Sequence, residues 1–238
     1  MTRGRLWLTV VSFNLGRKYP PGQFRHDVLN IMEHADGREH VVLLPQEIDE
    51  EPDPANEHRQ LARELEPGSR KVHWRTREPI ILSPSFKVVA RRRVKVMGSG
   101  LEIGGPRGTG PARHLSMCVA EYEGIRLGFG NWHPHRSGLH PRVDEARDVG
   151  AGIASDALTR LRAHCGGVSG AYGTDYNSRQ MPRMVPGEKV AEHQGLDHLR
   201  YWEHPNGAHM ELKAHGTLEG TIDPHDPLWA RFLVTARS

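Results

Sequence analysis

Asp175 and Asn177 stand two residues apart in the polar stretch GAYGTDYNSRQMP, Gly170 to Pro182. At this spacing an aspartate and an asparagine can bond their own backbone in a tight turn. They can also stand together at the mouth of a site, as an acidic group beside an amide donor. Other polar groups recur in comparable places. Asn14 closes LWLTVVSFN, Glu47 follows VVLLPQ, Asn131 and His133 follow IRLGFG, Asp197 falls within GLDHLRY, and His225 precedes DPLWARFLV. Carboxylates, carboxamides and imidazoles are the groups that hold hard cations, accept protons from water and bond anionic oxygens. Each also has a plain structural role: Asn14 as a turn residue, Glu47 at the head of the acidic loop EIDEEPD, His225 as a surface histidine. Asp197 fits such a role least well, because aspartate is disfavoured in strands.

Such residues act together only if the elements carrying them end in one place. LWLTVVSFN reads as a first core strand, and EHVVLLPQEID as a second buried strand broken by Pro45 near its end. KVHWRT, EPIILS and FKVVARRRVKVMG read as further strands, and GSGLEIGGPRGTGPAR as a loop. LSMCVAEYEGIRLGFGNWH reads as a hairpin turning at Glu123-Gly124. GGVSGAYGTDYN, GLDHLRYW, AHMELKAHGTLEG and DPLWARFLVTARS are strand-like. Helices are expected over GQFRHDVLNIMEHA, with Phe24, Val28, Ile31 and Met32 at helical spacing, and over DPANEHRQLARELEPG, which opens with a capping aspartate and closes before Pro67-Gly68. The longest helix is expected over HPRVDEARDVGAGIASDALTRLRAHC, with Val143, Ala146, Val149, Ile153, Ala157, Leu158 and Leu161 facing the core. No internal repeat and no linker is visible. The pattern predicts a sheet-rich α/β domain with helices outside, in which polar strand ends gather around one crevice.

The bulk numbers bound the rest. At 238 residues with 37% hydrophobic content, the chain is expected to form a single domain, residues 1–238. A net charge of +3 permits an anionic partner without demanding one. Cys118 and Cys165 are the only cysteines, so there is neither a disulfide framework nor a CxxC zinc pattern. MTRGRLWLTVVSFNLG pairs a basic start with an apolar run that is short and lacks a small-residue cleavage site; it reads as a buried strand rather than a signal peptide. No apolar run approaches the ~18 residues of a membrane span. A cytoplasmic protein with no membrane association and no obligate protein partner is the expectation.

Taken in order, the polar strand ends resemble the endonuclease/exonuclease/phosphatase superfamily. VVSFNLG resembles its opening strand ending in asparagine, and VVLLPQEID its leucine-glutamine-glutamate strand, whose glutamate holds the metal. GFGNWHPHRSG is similar to the asparagine-x-histidine strand end, and SGAYGTDYN to the glycine-aspartate-phenylalanine-asparagine motif, with Thr174 between Gly173 and Asp175. GLDHLRY resembles the later strand with a central aspartate, and DPHDPLWARFLV the closing serine-aspartate-histidine strand, with His225 at the histidine. One departure stands out: the residue before His225 is Pro224 where the family has aspartate.

The resemblance implies a four-layer α/β sandwich with two central mixed β-sheets flanked by helices. It implies that Asn14 helps Glu47 hold Mg²⁺, with Mn²⁺ as the alternative ion, and that Asp175 orients or deprotonates the attacking water. Asn177 would bond the phosphate, His133 and His225 would donate to phosphoryl oxygens, and Asp197 would orient a histidine or assist the metal. Asn131, Arg91 and Arg113 are the expected substrate-binding residues. Arg91 belongs to the basic run ARRRVKV, suited to a nucleic-acid backbone or to the charged protection of an edge strand. GPRGTG lacks the Gly-Lys-Ser/Thr of a P-loop, and nothing marks a lipid surface. The expected activity is a divalent-metal-dependent phosphodiesterase, foremost a nuclease cutting DNA or RNA. The alternatives are a phosphatase of a soluble phosphomonoester and a nucleic-acid-binding protein impaired in catalysis by Pro224.

Overall fold

Apolar runs of period two, and a few with no period at all, become the strands of this protein. The structure is a computed structural model that describes residues 4–14, 40–47, 70–73, 76–98, 101–102, 109–110, 112–135, 141–218 and 225–237. In chain order the strands are β1 (Arg5–Asn14), β2 (His40–Gln46), β3 (Arg70–Val72), β4 (Ile80–Leu82), β5 (Lys87–Met97), β6 (Leu101–Glu102) and β7 (Thr109–Gly110). They continue as β8 (Arg113–Tyr122), β9 (Ile125–Trp132), β10 (Ser169–Asp175), β11 (Lys189–Gln194), β12 (Asp197–Trp202), β13 (His209–Thr217) and β14 (Leu228–Thr235). A long helix, α1 (Pro141–Arg162), is followed by a short 3-10 turn (His164–Gly166). The helices expected over GQFRHDVLNIMEHA and DPANEHRQLARELEPG lie outside the described residues, as does Pro224.

The strands form two six-stranded mixed sheets, ordered β13-β14-β1-β2-β4-β3 and β11-β12-β10-β9-β8-β5. Each has a central parallel pair, β1 with β2 and β9 with β10. Antiparallel neighbours flank each pair: β14 and β4 in the first sheet, β12 and β8 in the second. The two sheets thus share one pattern, although no repeat is visible in the sequence. Leu8, Val10, Val42, Leu44, Leu127, Phe129, Leu199 and Phe232 belong to the apolar layer between them. Central strands are buried almost throughout, as β1 is from Leu8 onward, which is why they read as continuous apolar runs. The edge strands β5 and β13 instead carry exposed charged residues.

Helix α1 covers the outer face of the second sheet, where Ala151, Ala154, Ala157 and Leu158 pack with Leu115, Met117, Trp132 and Trp202. Its contact face differs from the expected one. Val149 and Ile153 are exposed, while Val143, Gly150, Ala151, Ala154, Ala157 and Leu158 are buried. Small residues let the helix lie close to β5: a Cβ at Gly150 would sit 2.8 Å from the Val96 carbonyl oxygen. Close approach, rather than the largest side chains, chose the face. No described helix is long and apolar enough to cross a membrane.

Other departures have simple causes. Pro45 does not break β2, which runs on to Gln46. β2 pairs with β4 only at Val42 and Leu43, so Pro45 sits where one side of the strand no longer needs an N–H. The hairpin turns at Glu123 and Gly124, both at positive φ, as a tight two-residue turn demands. β11 falls in a polar stretch that carries no strand signal, and the glycine-rich loop contains the short β6–β7 pair.

Gly173 fixes how closely the sheets approach beside the polar strand ends. A Cβ there would lie 2.3 Å from Ser12 Oγ and 3.2 Å from Leu44 Cβ on the facing sheet. Gly173→Ala is therefore expected to lower stability by about 1–3 kcal/mol through overpacking, read as a shift of the urea midpoint at unchanged slope. An unshifted midpoint would mean that the sheets separate there without cost.

Candidate active site

Side chains two apart on a strand share a face, and on the facing sides of the two sheets these rows change character together. On β1 the row runs Leu8, Val10, Ser12, Asn14; on β2, Val42, Leu44, Gln46; on β9, Leu127, Phe129, Asn131; on β10, Ala171, Gly173, Asp175. Each row is apolar along the sheet and polar at the C-terminal end. β12 runs antiparallel to β10, so its first residue, Asp197, pairs with Asp175 at the same rim. β14 runs antiparallel to β1, which brings His225, three residues ahead of Leu228, there too. Thr174 lengthens β10 by one residue in continuous register with β12, without a bulge.

Hydrogen bonds join the rows across the seam. Asn14 Nδ2 donates to Asp175 Oδ2 at 2.7 Å, and the Asn177 backbone N–H donates to Asp175 Oδ1 at 2.9 Å. His225 Nδ1 lies 2.8 Å from Asp197 Oδ2 and 3.9 Å from Asp175 Oδ2. Asn177 Nδ2 meets His133 Nε2 at 2.9 Å and donates to the Pro134 carbonyl at 3.0 Å. His133 Nδ1 faces Glu47 Oε1 at 3.6 Å. Glu47 and Asn177 both hold positive φ, 59° and 57°. The left-handed region suits an asparagine, but for a glutamate it costs roughly 1–2 kcal/mol, strain of the kind that concentrates at functional sites.

The charges are crowded and mostly buried. Burial, then the nearby Asp197 carboxylate, push Asp175 up to about 6; the charge of His225 and the bonds from Asn14 and Asn177 restrain the rise. Burial also raises Asp197, which the hydrogen bond to His225 holds back. At His225 burial favours the neutral ring, but the Asp197 bond and the charges of Asp197, Asp175 and Glu47 outweigh it, so its net shift is upward. Burial, followed by the charges of Arg113 and Arg77, holds His133 well below the ordinary histidine range. Two histidines at one rim are thus pushed in opposite directions, His225 toward imidazolium and His133 toward neutral imidazole.

The donor set fits a hard divalent cation. Among the described residues, Asp197 Oδ1 is buried without a hydrogen-bond partner. One ligand atom each from Asp175, Asp197 and His225 lie within 4.8 Å of one another. Among the described residues, Glu47 Oε1 makes ion-pair contacts at 3.6 Å with His133 and 3.8 Å with Arg77. Hard oxygens left under-satisfied in this way are what Mg²⁺ takes from protein.

The structure gathers Asn14, Glu47, His133, Asp175, Asn177, Asp197 and His225 at one rim. Three other expected residues stand differently. Asn131 is completely buried, accepting from Gln46 Nε2 at 2.8 Å and donating to the Pro45 and Pro79 carbonyls at 2.6 and 2.7 Å. Its amide is engaged in tying the sheets together. Arg113 is buried behind His133, with Nε 3.3 Å from His135 Nδ1, Nη1 3.4 Å from His133 Nδ1, and Glu78 at 3.9 Å. Arg91 is exposed on edge strand β5. It stands six residues from Met97, the residue paired with Arg113 near the rim, or roughly 20 Å at ~3.3 Å per residue. The residues missed from sequence are Gln46, Arg77, Glu78 and His135. A signal existed for two of them: Arg77-Glu78 is a charged pair set immediately before the apolar run of β4, and both are buried. Glu188 was missed as well; it takes bonds from Tyr172, Arg200 and the Met184 and Val185 backbone, and so anchors the segment after Asn177.

No protein-family model matches the chain, and no curated protein matches it. Solved structures do. An endonuclease/exonuclease/phosphatase family protein from Bacteroides thetaiotaomicron is 14% identical, covering 98% of this chain and 96% of its own, at a TM-score of 0.67. D. rerio TDP2 complexed with a single-strand DNA product is 11% identical, covering 95% and 98%, at 0.63. A mannosyl-6-phosphatase from B. thetaiotaomicron VPI-5482 is 14% identical, covering 94% and 99%, at 0.60. The chain therefore has the α/β sandwich fold of endonuclease/exonuclease/phosphatase proteins.

The raised Asp175 has a consequence for stability. With a folded value of about 6 against an ordinary 3.8, the folded state binds the proton more tightly. Stability falls as pH rises through that window and stays lowered above it. In EDTA at pH 7.5, Asp175→Asn is expected to be more stable than the unsubstituted protein by on the order of 1–3 kcal/mol, and to lose this advantage below about pH 4. Asn14 can turn its amide to meet the new one. A variant less stable at pH 7.5 would show that the carboxylate holds the seam together rather than straining it.

Proposed function

We propose that this protein is a divalent-metal-dependent phosphoesterase, foremost a phosphodiesterase that cuts nucleic acid. The observation that carries the reading is the joining of Asn14, Asp175 and Asn177 to the Asp197–His225 pair at one rim, with Glu47 beside them. A phosphate ester repels its nucleophile, so hydrolysis needs positive charge at the phosphoryl oxygens and a base for water. Glu47 with Asn14, and the unpartnered oxygen of Asp197, would hold Mg²⁺ or Mn²⁺, which supplies charge to the phosphoryl oxygens and the departing oxyanion.

The other roles belong to the chain itself. Asp175, at about 6, is suited to take the proton of a water aligned by its carboxylate, and the Asn177 N–H fixes that carboxylate in place. Asp197 holds Nδ1 of His225. Nε2 of that ring is thereby left to donate to a phosphoryl oxygen as charge grows there. His133 has its Nε2 on Asn177 and is buried and neutral, so it positions Asn177 rather than donating to the phosphate. Arg113 acts from behind His133. The carboxylate that the family sets at the position of Pro224 is not needed to orient His225 while Asp197 does so, which weakens the reading of an impaired nucleic-acid-binding protein.

A nucleic-acid substrate is supported by the likeness to a TDP2 bound to a single-strand DNA product. The second reading, a phosphatase of a soluble phosphomonoester, is supported by the likeness to a mannosyl-6-phosphatase across 94% of this chain. The two separate on substrate. Plasmid and single-stranded DNA are expected to be cut with Mg²⁺ or Mn²⁺ and not with EDTA. Asp175→Ala is expected to lower the rate by about 10²–10⁴, the range for loss of a general base, Glu47→Ala by at least about 10² through loss of the metal's charge, worth several kcal/mol, and His225→Ala by about 10²–10³. A folded protein that leaves DNA and RNA intact but releases phosphate from sugar phosphates would establish the second reading in place of the first.

A further inference from the structure

The basic run of β5 stands far from the rim, yet it does not stand alone. Between β5 and the end of α1 lies a cavity of about 250 Å³. Its floor is apolar, with Met117, Ala157 and Leu161. Its rim carries Arg91 and Arg92 from β5, Arg160 from α1 and His164 from the turn after it. No carboxylate among the described residues lines it. Among the described residues, the side chains of Arg92 and Arg160 form no ion pair, even though the exposed Asp156 lies one helical turn before Arg160.

Charged side chains on an edge strand deter pairing with other sheets, which accounts for a row of arginines along β5. It does not account for Arg160 and His164, brought to the same cavity by a different element. Guanidinium groups gathered without a counter-charge repel one another, and an anion seated among them relieves that repulsion. Arginine's planar fork matches phosphate oxygens in pairs. Along β5, Arg92 pairs in register with Met117 and so shares the face that α1 covers, whereas Arg91, Arg93 and Lys95, paired with Cys118, Ser116 and His114, belong to the opposite face.

We propose that this cavity is a second contact site for the phosphodiester backbone of nucleic acid, apart from the catalytic rim. The choice of nucleic acid rests on the nuclease reading above. The roughly 16 Å from Arg92 to Met97 at the rim end of β5, five residues at ~3.3 Å, is the span a bound strand must cover to touch both places. A strand longer than that reaches both places; a much shorter one does not.

The test is fluorescence anisotropy in EDTA, where nothing is cut, with single-stranded DNA of twenty and of two nucleotides. The variant is Arg92→Gln/Arg160→Gln, which alters two exposed side chains. It is expected to bind the long strand about tenfold more weakly at ~0.1 M salt, with a log K against log salt slope shallower by about 1.4 for two lost phosphate contacts. Binding of the short strand and hydrolysis of bis(p-nitrophenyl) phosphate are expected to be unchanged. Equal affinity and equal slope for the long strand would overturn the proposal. So would a variant that keeps its DNA binding but loses binding to phosphatidylserine vesicles, because the partner would then be a membrane. The two readings fail separately: a protein that cuts nothing yet binds DNA through these arginines sinks the nuclease and keeps the site, and a nuclease indifferent to them does the reverse.

Discussion

The hydrogen bond from Asn14 to Asp175 closes the seam between two sheets with a buried carboxylate, and much of the rim depends on it. Along the interior the facing rows are Leu, Val, Phe and Ala, and hydrophobic burial holds the sheets together. At the rim the same rows end in Asn14, Gln46, Asn131 and Asp175, and burial there would cost free energy were each group not bonded across the gap. Gly173 brings the sheets close enough for these bonds to form. Gln46 and Asn131 make the structural crossing, with Asn131 fully engaged. Asn14 and Asp175 make the crossing that leaves chemistry behind.

That chemistry comes from groups held away from their ordinary protonation. Two carboxylates, Asp175 and Asp197, sit paired in register, and burial raises both. His225 lies against both carboxylates and is drawn toward its charged form, whereas burial, followed by the charges of Arg113 and Arg77, draws His133 toward the neutral ring. Titrating groups forced apart by their surroundings can divide the work of proton transfer. Here the division follows from position: His225 bonds Asp197 at 2.8 Å, whereas His133 is more deeply buried, with Arg113 at 3.4 Å and, among the described residues, carboxylates no nearer than 3.6 Å.

Most of the strands and most of the polar strand ends were legible in the sequence because β-structure writes burial into alternation and into continuous apolar runs, whereas β11 and the β6–β7 pair carried no such signal. Asn14, Glu47, Asp175, Asn177, Asp197 and His225 were found as polar residues breaking such runs. What the sequence concealed was direction. Asn131 looks like its neighbours in kind, but its position opposite Gln46 makes it a tie between sheets. Arg113 and Arg91 are equally basic, yet one is buried behind the rim and the other lies on an outer edge, a difference set by which end of an antiparallel pair each occupies. Val149 and Ile153 were assigned to the core by size, where small residues at Gly150, Ala151 and Ala154 decided the contact. Glu188 was invisible because its partners come from Tyr172, Arg200 and a loop backbone far apart in the chain.

Direct binding of the ion to these oxygens is the central claim, and calorimetric titration of the unliganded protein with Mg²⁺ and Mn²⁺ tests it most directly. Measured near pH 6 in two buffers of different ionisation enthalpy, binding is expected with net proton release, because the rim carboxylates must give up protons to hold a cation. Glu47→Gln and Asp197→Asn are each expected to weaken it by at least about tenfold. Failure to bind either ion at millimolar concentration, or binding indifferent to both substitutions, would contradict the assignment of this rim as a metal-assisted site.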